Sequence, residues 1–507
     1  MDINTRVKSY QLSPKCFAAT DNTSETLSWN EVRAAFQKTW GYEDFRPPQG
    51  EIIQCLLEKR DALIVMPTGG GKSICFQLPA LLQTGLTLVV SPLVALMENQ
   101  VQELRQLKLP AALLHSELPA WECKKTLQAL ERQQLRLLYL SPETLLSTPV
   151  WERLCQPQLN INGLILDEAH CLVQWGDTFR PAYRRLGTVR TTLLKYKPKG
   201  TKISIAAFTA TADPRAQEII RNVLQLQQPE VFLLSPYRQN LSLKVQTVWT
   251  PKGRRQQLLK FIQARPKQVG LVYVRSRRDS EELAAWLAQV GYATAAYHAG
   301  LSAEERREIE ASWLSGESQF VVCTSAFGMG INKPDVRWVV HFQFPQLLSE
   351  YIQEVGRGGR DGKPSDALTL VCEPTGLLYP DDKQQQEFFE KKLRSQYQNA
   401  QQLVNKLPTH GEVATVARQY RDGAVALAIL HSAGQLKWQD PFHYYKYPSA
   451  KSQPLAQLSA SQQQVPKQIT QYLNTRECRW QFLLKAFGFT KEAAGFKCGS
   501  CDNCLRR

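Results

Sequence analysis

The chain has 507 residues, a formal net charge of +16, 43% apolar and 21% charged residues, and 12 cysteines. This is ordinary globular material, enough for about three domains at ~150 residues each, and its basic balance suggests a polyanionic partner such as nucleic acid. No run of about 18 apolar residues and no apolar leader segment is present, so a membrane span and a secretory signal are not expected. The cysteines are too sparse for a disulfide scaffold, so a reducing compartment is expected, cytoplasmic (nucleoid-associated) or nuclear.

Residues 1–27 mix Ser, Thr, Asn and single apolar residues without a period and read as a flexible tail. A helical pattern starts near Trp29. Short apolar runs then alternate with helical stretches: Ala62–Met66, Leu86–Val90, Ala112–Leu114, Leu135–Leu140, Leu164–Leu166, Ile203–Phe208 and Val231–Leu234. Continuous apolar strands separated by helices predict a parallel sheet covered on both faces. The pattern restarts with Gly270–Val274, Ala293–Tyr297, Phe320–Cys323, Val336–Phe342 and Ala367–Val371. The prediction is therefore α/β, with one domain over 28–235, a second over 236–375, and a mostly helical region over 376–507.

The first run leads into Met66-Pro67-Thr68-Gly69-Gly70-Gly71-Lys72-Ser73. Three glycines let successive N–H groups turn toward a polyphosphate, and the following helix offers its N-terminus to the same anion. Lys72 would reach the β/γ-phosphates and Ser73 would ligate Mg²⁺. Leu164–Leu166 ends in Asp167-Glu168-Ala169-His170. A carboxylate at the C-terminal edge of a parallel strand sits where ligands bind, so Asp167 would hold Mg²⁺ and Glu168 would orient the water attacking the γ-phosphate.

In the last region Gln384–Gln402 is helical and polar, and Asp422–Ser432, Gln435–Trp438 and His443–Tyr447 read as helix, strand and strand. Residues 409–447 fit either a small winged module or a plain helix-plus-hairpin spacer. Ser449–Gln468 reads as a linker. Cys498, Cys501 and Cys504, with Cys478 upstream, offer four thiolates for one tetrahedral Zn²⁺ in a closed, structural site spanning 478–504.

Together the Gly-Gly-Gly-Lys-Ser loop and Asp-Glu-Ala-His resemble superfamily-two helicases, and the wider sequence resembles the RecQ family of DNA helicases. The runs that carry the resemblance are Gly41–Gln49, Ser91-Pro92-Leu93, Ser141-Pro142-Glu143, Asp167–Pro181, Phe208–Ala212, Ala326–Pro334 and Gln353–Gly362. The match extends from about Trp40 to Val371, in the family's order and spacing. It implies two tandem RecA-like P-loop domains, a zinc-binding C-terminal region, and ATP, Mg²⁺ and structural Zn²⁺ as cofactors. It also implies ATP-dependent 3′→5′ unwinding of duplex DNA in recombination and repair.

By position, the resemblance gives Tyr42, Arg46 and Gln49 to adenine, and places Met66, Pro67, Thr68, Gly69, Gly70, Gly71, Lys72 and Ser73 around the phosphates. Gln353, Arg357 and Arg360 of the second domain would complete the site when the domains close. Ser91, Pro92, Arg180 and Thr324 would contact DNA, and Trp175 and Phe179 would stack on bases of a single strand. The expected partner is single-stranded or tailed duplex DNA, bound by a monomer.

The usual RecQ layout places the zinc platform directly after the second domain and a winged-helix domain after that. Here about a hundred residues separate Gly376 from Cys478, and three follow Cys504, so the usual winged-helix and helical accessory domains are expected to be absent. Alternatives to a DNA helicase are a translocase or remodeller that does not separate strands, a binder with a degraded ATPase, and an RNA helicase. The intact Lys72, Asp167, Glu168, Gln353, Arg357 and Arg360 speak against the degraded ATPase.

Overall fold

The computed structural model describes residues 28–174, 180–327, 333–373, 380–447 and 465–506. Trp175, Phe179, the N-terminal tail and part of the run Ala326–Pro334 lie outside the described residues.

The first sheet has seven strands: β1 (Ala62–Val65), β2 (Leu86–Val90), β3 (Ala111–Leu114), β4 (Leu137–Leu140), β5 (Ile161–Leu166), β6 (Ser204–Thr209) and β7 (Glu230–Leu233). All pair in parallel, in the order β3-β4-β2-β5-β6-β1-β7. Strands β1 to β6, the five inner ones and the edge strand β3, are buried along their whole length, as strands covered by helices on both faces must be. One core on each face results. The order puts β6 between β1 and β5, so the loops after β1 and β5 straddle the end of β6.

The second sheet holds β8 (Leu241–Val248), β9 (Gly270–Tyr273), β10 (Thr294–Tyr297), β11 (Phe320–Cys323), β12 (Trp338–His341) and β13 (Ser365–Cys372). It is also wholly parallel, in the order β10-β11-β9-β12-β13-β8. β8 is absent from the sequence expectation. It alternates buried and half-buried residues over most of its length, the signature of an edge strand packed mainly on one face, whereas continuous apolar runs mark inner strands.

Helix Asp381–Val404 is followed by β14 (His410–Glu412), helices Val413–Gln419 and Gly423–Ser432, β15 (Leu436–Trp438) and β16 (His443–Lys446). These strands form an antiparallel sheet in the order β14-β16-β15. Helix, strand, two helices and a hairpin pack together as one small module, the order in which the winged alternative would be built. Its core includes Tyr397, Ala400 and Leu403 of the long helix, so the module begins well before residue 409. The third helix, Gly423–Ser432, buries Leu427, Ile429 and Leu430 and packs on Pro181–Thr188 of the first domain. There Arg185 donates to the Pro441 carbonyl at 2.9 Å, and Phe442 meets Trp151 edge to face at 5.2 Å.

Helix Val465–Asn474 starts inside the stretch expected to be a linker. Ile469, Tyr472 and Leu473 recur at helical spacing and are buried against the second domain, which outweighs the Ser/Gln-rich composition before them. The cysteine-bearing segment shares that core. Trp480 Nε1 donates to the Leu241 carbonyl at 3.0 Å, and Asp502 accepts the Val245 N–H at 3.2 Å. The segment thereby covers the open edge of β8.

Candidate functional site

The loop after β1 is shaped by its glycines. Gly69 and Gly71 have φ of 84° and 78°, the left-handed region where a side chain is disfavoured. A Cβ on Gly70 would lie 2.8 Å from Cγ of the buried Met66, and one on Gly71 would lie 2.3 Å from Gln49 Nε2. Helix Lys72–Leu82 then begins at Gly71 with no side-chain cap, leaving its first N–H groups for an anion. The cradle fits a polyphosphate.

Across the end of β6, Lys72 Nζ stands 3.5 Å from Glu168 Oε1. Asp167 accepts from Gln100 Nε2 at 3.3 Å and from the Glu168 N–H at 3.0 Å. Burial, reinforced by the neighbouring Glu168, pushes the Asp167 carboxyl up to about 6. Burial acts on Glu168 in the same sense, but Lys72 and His170 outweigh it and hold its carboxyl well below the usual range. Glu168 also has φ 51°, a strained conformation for a residue with a Cβ. A buried carboxylate beside the helix N-terminus that carries Ser73 fits a hard divalent cation, which takes few protein oxygens and keeps its waters.

His170 ties this pair to the second domain. The Thr209 hydroxyl donates to the Thr211 carbonyl at 3.1 Å, so it accepts from His170 Nδ1 at 3.2 Å. Glu168 Oε2 lies 3.2 Å from the same nitrogen. That assignment leaves Nε2 as an acceptor, and Gln353 Nε2 approaches it at 3.1 Å. Thr68 Oγ1 donates to the Gly356 carbonyl at 3.3 Å, and the Arg360 side chain runs over Gly69. Arg238 donates to the Gly356 carbonyl at 2.8 Å and also to Gly359, fixing the arginine loop from behind. Burial, with Arg357 and Arg238 nearby, lowers Arg360 to about 10.

Lys72, Asp167, Glu168, Gln353 and Arg360 therefore converge on one cleft, while Arg357 lies buried next to Arg360 with its side chain at Tyr273. Tyr42 and Arg46 are exposed ahead of the loop, with the Tyr42 ring 5.8 Å from Phe36. Gln49 is buried and turned inward: Nε2 donates to the Gly70 carbonyl at 3.1 Å, while Oε1 accepts the Arg46 N–H at 2.9 Å. His170, Gln100 and Arg238 have no place in the sequence expectation. His170 lay inside a quoted motif, whereas Gln100 and Arg238 carry no local signal.

Pro92, Arg180 and Thr324 line a cavity of about 650 Å³ between the two domains, with His170 in its wall. Arg180 pairs with Glu143 at 3.3 Å, which joins two of the quoted runs. Ser91 is buried and does not line this cavity.

The Sγ atoms of Cys478, Cys498, Cys501 and Cys504 lie within 4.8 Å of one another. Zn–S bonds of about 2.3 Å give tetrahedral edges of about 3.8 Å, close to the 4.0 Å between Cys498 and Cys504 and between Cys501 and Cys478. Backbone N–H groups of Cys498 and Cys501 donate to Cys478 and Cys498 sulfurs at 3.3 Å, as they would to thiolates. The site fits zinc. Among the described residues no helix is long and apolar enough to cross a membrane.

Residues 46–219 match the DEAD/DEAH box helicase family, 253–362 the helicase conserved C-terminal domain and 448–505 the RecQ zinc-binding family. The chain is 52% identical over 475 residues to the ATP-dependent DNA helicase RecQ of Synechocystis, covering 94% of this chain and 98% of the relative. It is 38% identical to the Pasteurella multocida ATP-dependent DNA helicase RecQ over 67% of this chain and 52% of the relative. Saccharomyces cerevisiae Dbp5, solved with RNA and ADP BeF3, superposes with a TM-score of 0.55 at 16% identity over 68% of this chain and 90% of its own. Mss116p, solved with single-stranded RNA and AMP-PNP, does so with a TM-score of 0.57 at 20% identity over 69% of this chain and 73% of its own. These likenesses establish the tandem RecA-like fold. With both helicase domains, the zinc-binding segment and a relative matched over nearly its whole length, the chain belongs to the RecQ family of ATP-dependent DNA helicases.

Proposed function

We propose that the chain hydrolyses ATP to move 3′→5′ along single-stranded DNA, parting duplexes that arise in recombination and repair, as a monomer in the cytoplasm. The observation that carries this reading is the Gln353–His170 contact, which joins the second domain to the residue beside Glu168 in the wall of the cavity. In this reading Lys72 and the glycine loop hold the triphosphate. Arg357 and Arg360 neutralise charge on the transferred phosphoryl group, and Glu168 orients the attacking water. Tyr42 and Arg46 receive the base, and Gln49, expected to pair its edge, instead braces Arg46 and the glycine loop from within. Ser73 and Asp167 would hold Mg²⁺, which supplies charge neutralisation between the phosphates. Pro92, Arg180 and Thr324 face the strand, with Ser91 supporting Pro92 from beneath.

A second reading, a DNA translocase that does not separate strands, draws on the small module after the second domain. Its Gly423–Ser432 helix is buried against the first domain, which leaves that helix no access to a duplex groove. ATPase rates with single-stranded DNA, with RNA and with neither, beside strand displacement on 3′- and 5′-tailed duplexes, separate the readings. Stimulation by DNA with displacement of 3′-tailed duplex is expected, and Lys72→Ala should abolish both. Stimulation without displacement favours the translocase; no stimulation by DNA ends both.

A further inference from the structure

The helix Asp381–Val404 belongs to no motif of the ATP site, yet it crosses the cleft. At its start Arg254 forms a buried bidentate pair with Asp382, at 3.2 and 2.8 Å, on the second domain. Its end lies in the core of the small module, which is docked on the first domain. Between the two ends, Gln386, Phe389, Leu393 and Gln396 recur at three- and four-residue intervals and line the same cavity as Pro92, Arg180 and Thr324. Phe389 is 45% exposed, and Lys392 also reaches the cavity.

We propose that this helix forms one wall of the single-strand path, with the Phe389 ring stacking on a base and the Lys392 ammonium neutralising a phosphate. The inference rests on the reading of the chain as a DNA motor. A half-exposed ring flanked by glutamines and a lysine suits unpaired bases, which stack on any aromatic face and offer edges to amides. It does not suit an apolar protein segment, which would call for a continuous apolar stripe. The surrounding charge agrees: Arg180, Arg215, Arg277 and Lys392 face the cavity against Asp213, Glu390 and Glu350. Burial pushes the Glu350 carboxyl up to about 7, which weakens its repulsion of a phosphate at neutral pH. The cavity, about 650 Å³, is of a size to take unpaired nucleotides.

Fluorescence anisotropy of a labelled oligothymidylate, titrated with the full chain across a series of salt concentrations, tests this. Phe389→Ala should weaken binding roughly five- to hundredfold, and Phe389→Trp should restore it. Phe388→Ala serves as the control, because that ring is exposed but lies off the cavity stripe, and it should bind as the wild type does. Lys392→Gln should lower the slope of log affinity against log salt by about 0.7. Unchanged affinity in Phe389→Ala, or an equal loss in Phe388→Ala, overturns the strand wall while leaving the motor intact. Failure of the wild type to bind the oligothymidylate overturns the motor reading itself.

Discussion

The imidazole of His170 sits between Glu168, Thr209 and Gln353, so one ring senses the acidic pair, the end of β6 and the second domain together. Removing the Gln353 amide takes away the donor that the second domain supplies to Nε2. Gln353→Ala should therefore lower DNA-stimulated ATP hydrolysis by roughly tenfold, the worth of about one hydrogen bond, while nucleotide affinity changes little. Equal losses in both would show a collapsed site instead. Behind this ring, Glu354 accepts two bonds from Arg275, at 3.0 and 2.7 Å, and one from His341 at 2.8 Å. Burial opposes ionisation, but Arg275 and His341 prevail and bring the Glu354 carboxyl from 4.5 down to about 2. A carboxyl depressed in the folded state lends stability that is complete above its unfolded value and lost as pH falls through its folded one. The unfolding free energy in urea should accordingly drop between about pH 4.5 and 2, and in Glu354→Gln this part of the slope should vanish.

At the scale of elements, two kinds of junction hold the chain together. The zinc-binding segment merges its core with β8 and helix Leu348–Val355, where Tyr472 and Tyr351 share a hydrogen bond of 2.8 Å. A small metal-bearing unit with few apolar residues of its own is stabilised by borrowing a neighbour's face. The long helix is fixed differently, by one ion pair out of contact with water. Arg254 is fully buried and Asp382 nearly so, and Asp382 also accepts the Cys372 N–H at 2.8 Å. Arg254→Leu would strand a buried carboxylate and should cost about 3–5 kcal/mol, read as a lower midpoint in urea unfolding. Adding Asp382→Leu should recover much of that loss, whereas an additive further drop would assign the stability to something other than the pair.

Across the whole molecule, what the sequence disclosed follows the range of the interactions. The inner strands and the phosphate loop were legible because burial on both faces and glycine φ values are written in adjacent residues. The edge strand β8 was not, since an alternating strand resembles any half-exposed segment until a sheet is placed beside it. Contacts such as Gln353–His170 and Arg254–Asp382 span 183 and 128 positions, and no local pattern announces them. The small module after the second domain was half legible: its hairpin and the helical, polar character of its first helix showed, but not that the two share one core.

That first helix has 24 residues, about 36 Å of rigid rod at 1.5 Å per residue, and each end is fastened to a different domain. A rod pinned at both ends works as a connecting link in a machine: it converts free swinging into a stroke of set length. Small-angle scattering should show only a modest rise in radius of gyration between the protein with a non-hydrolysable ATP analogue and the protein without nucleotide. In Arg254→Leu, with one pin drawn, the rise should be larger; equal rises would mean that the link carries no load. How far the two halves part in each cycle would then be set by a spacer helix outside every recognised motif.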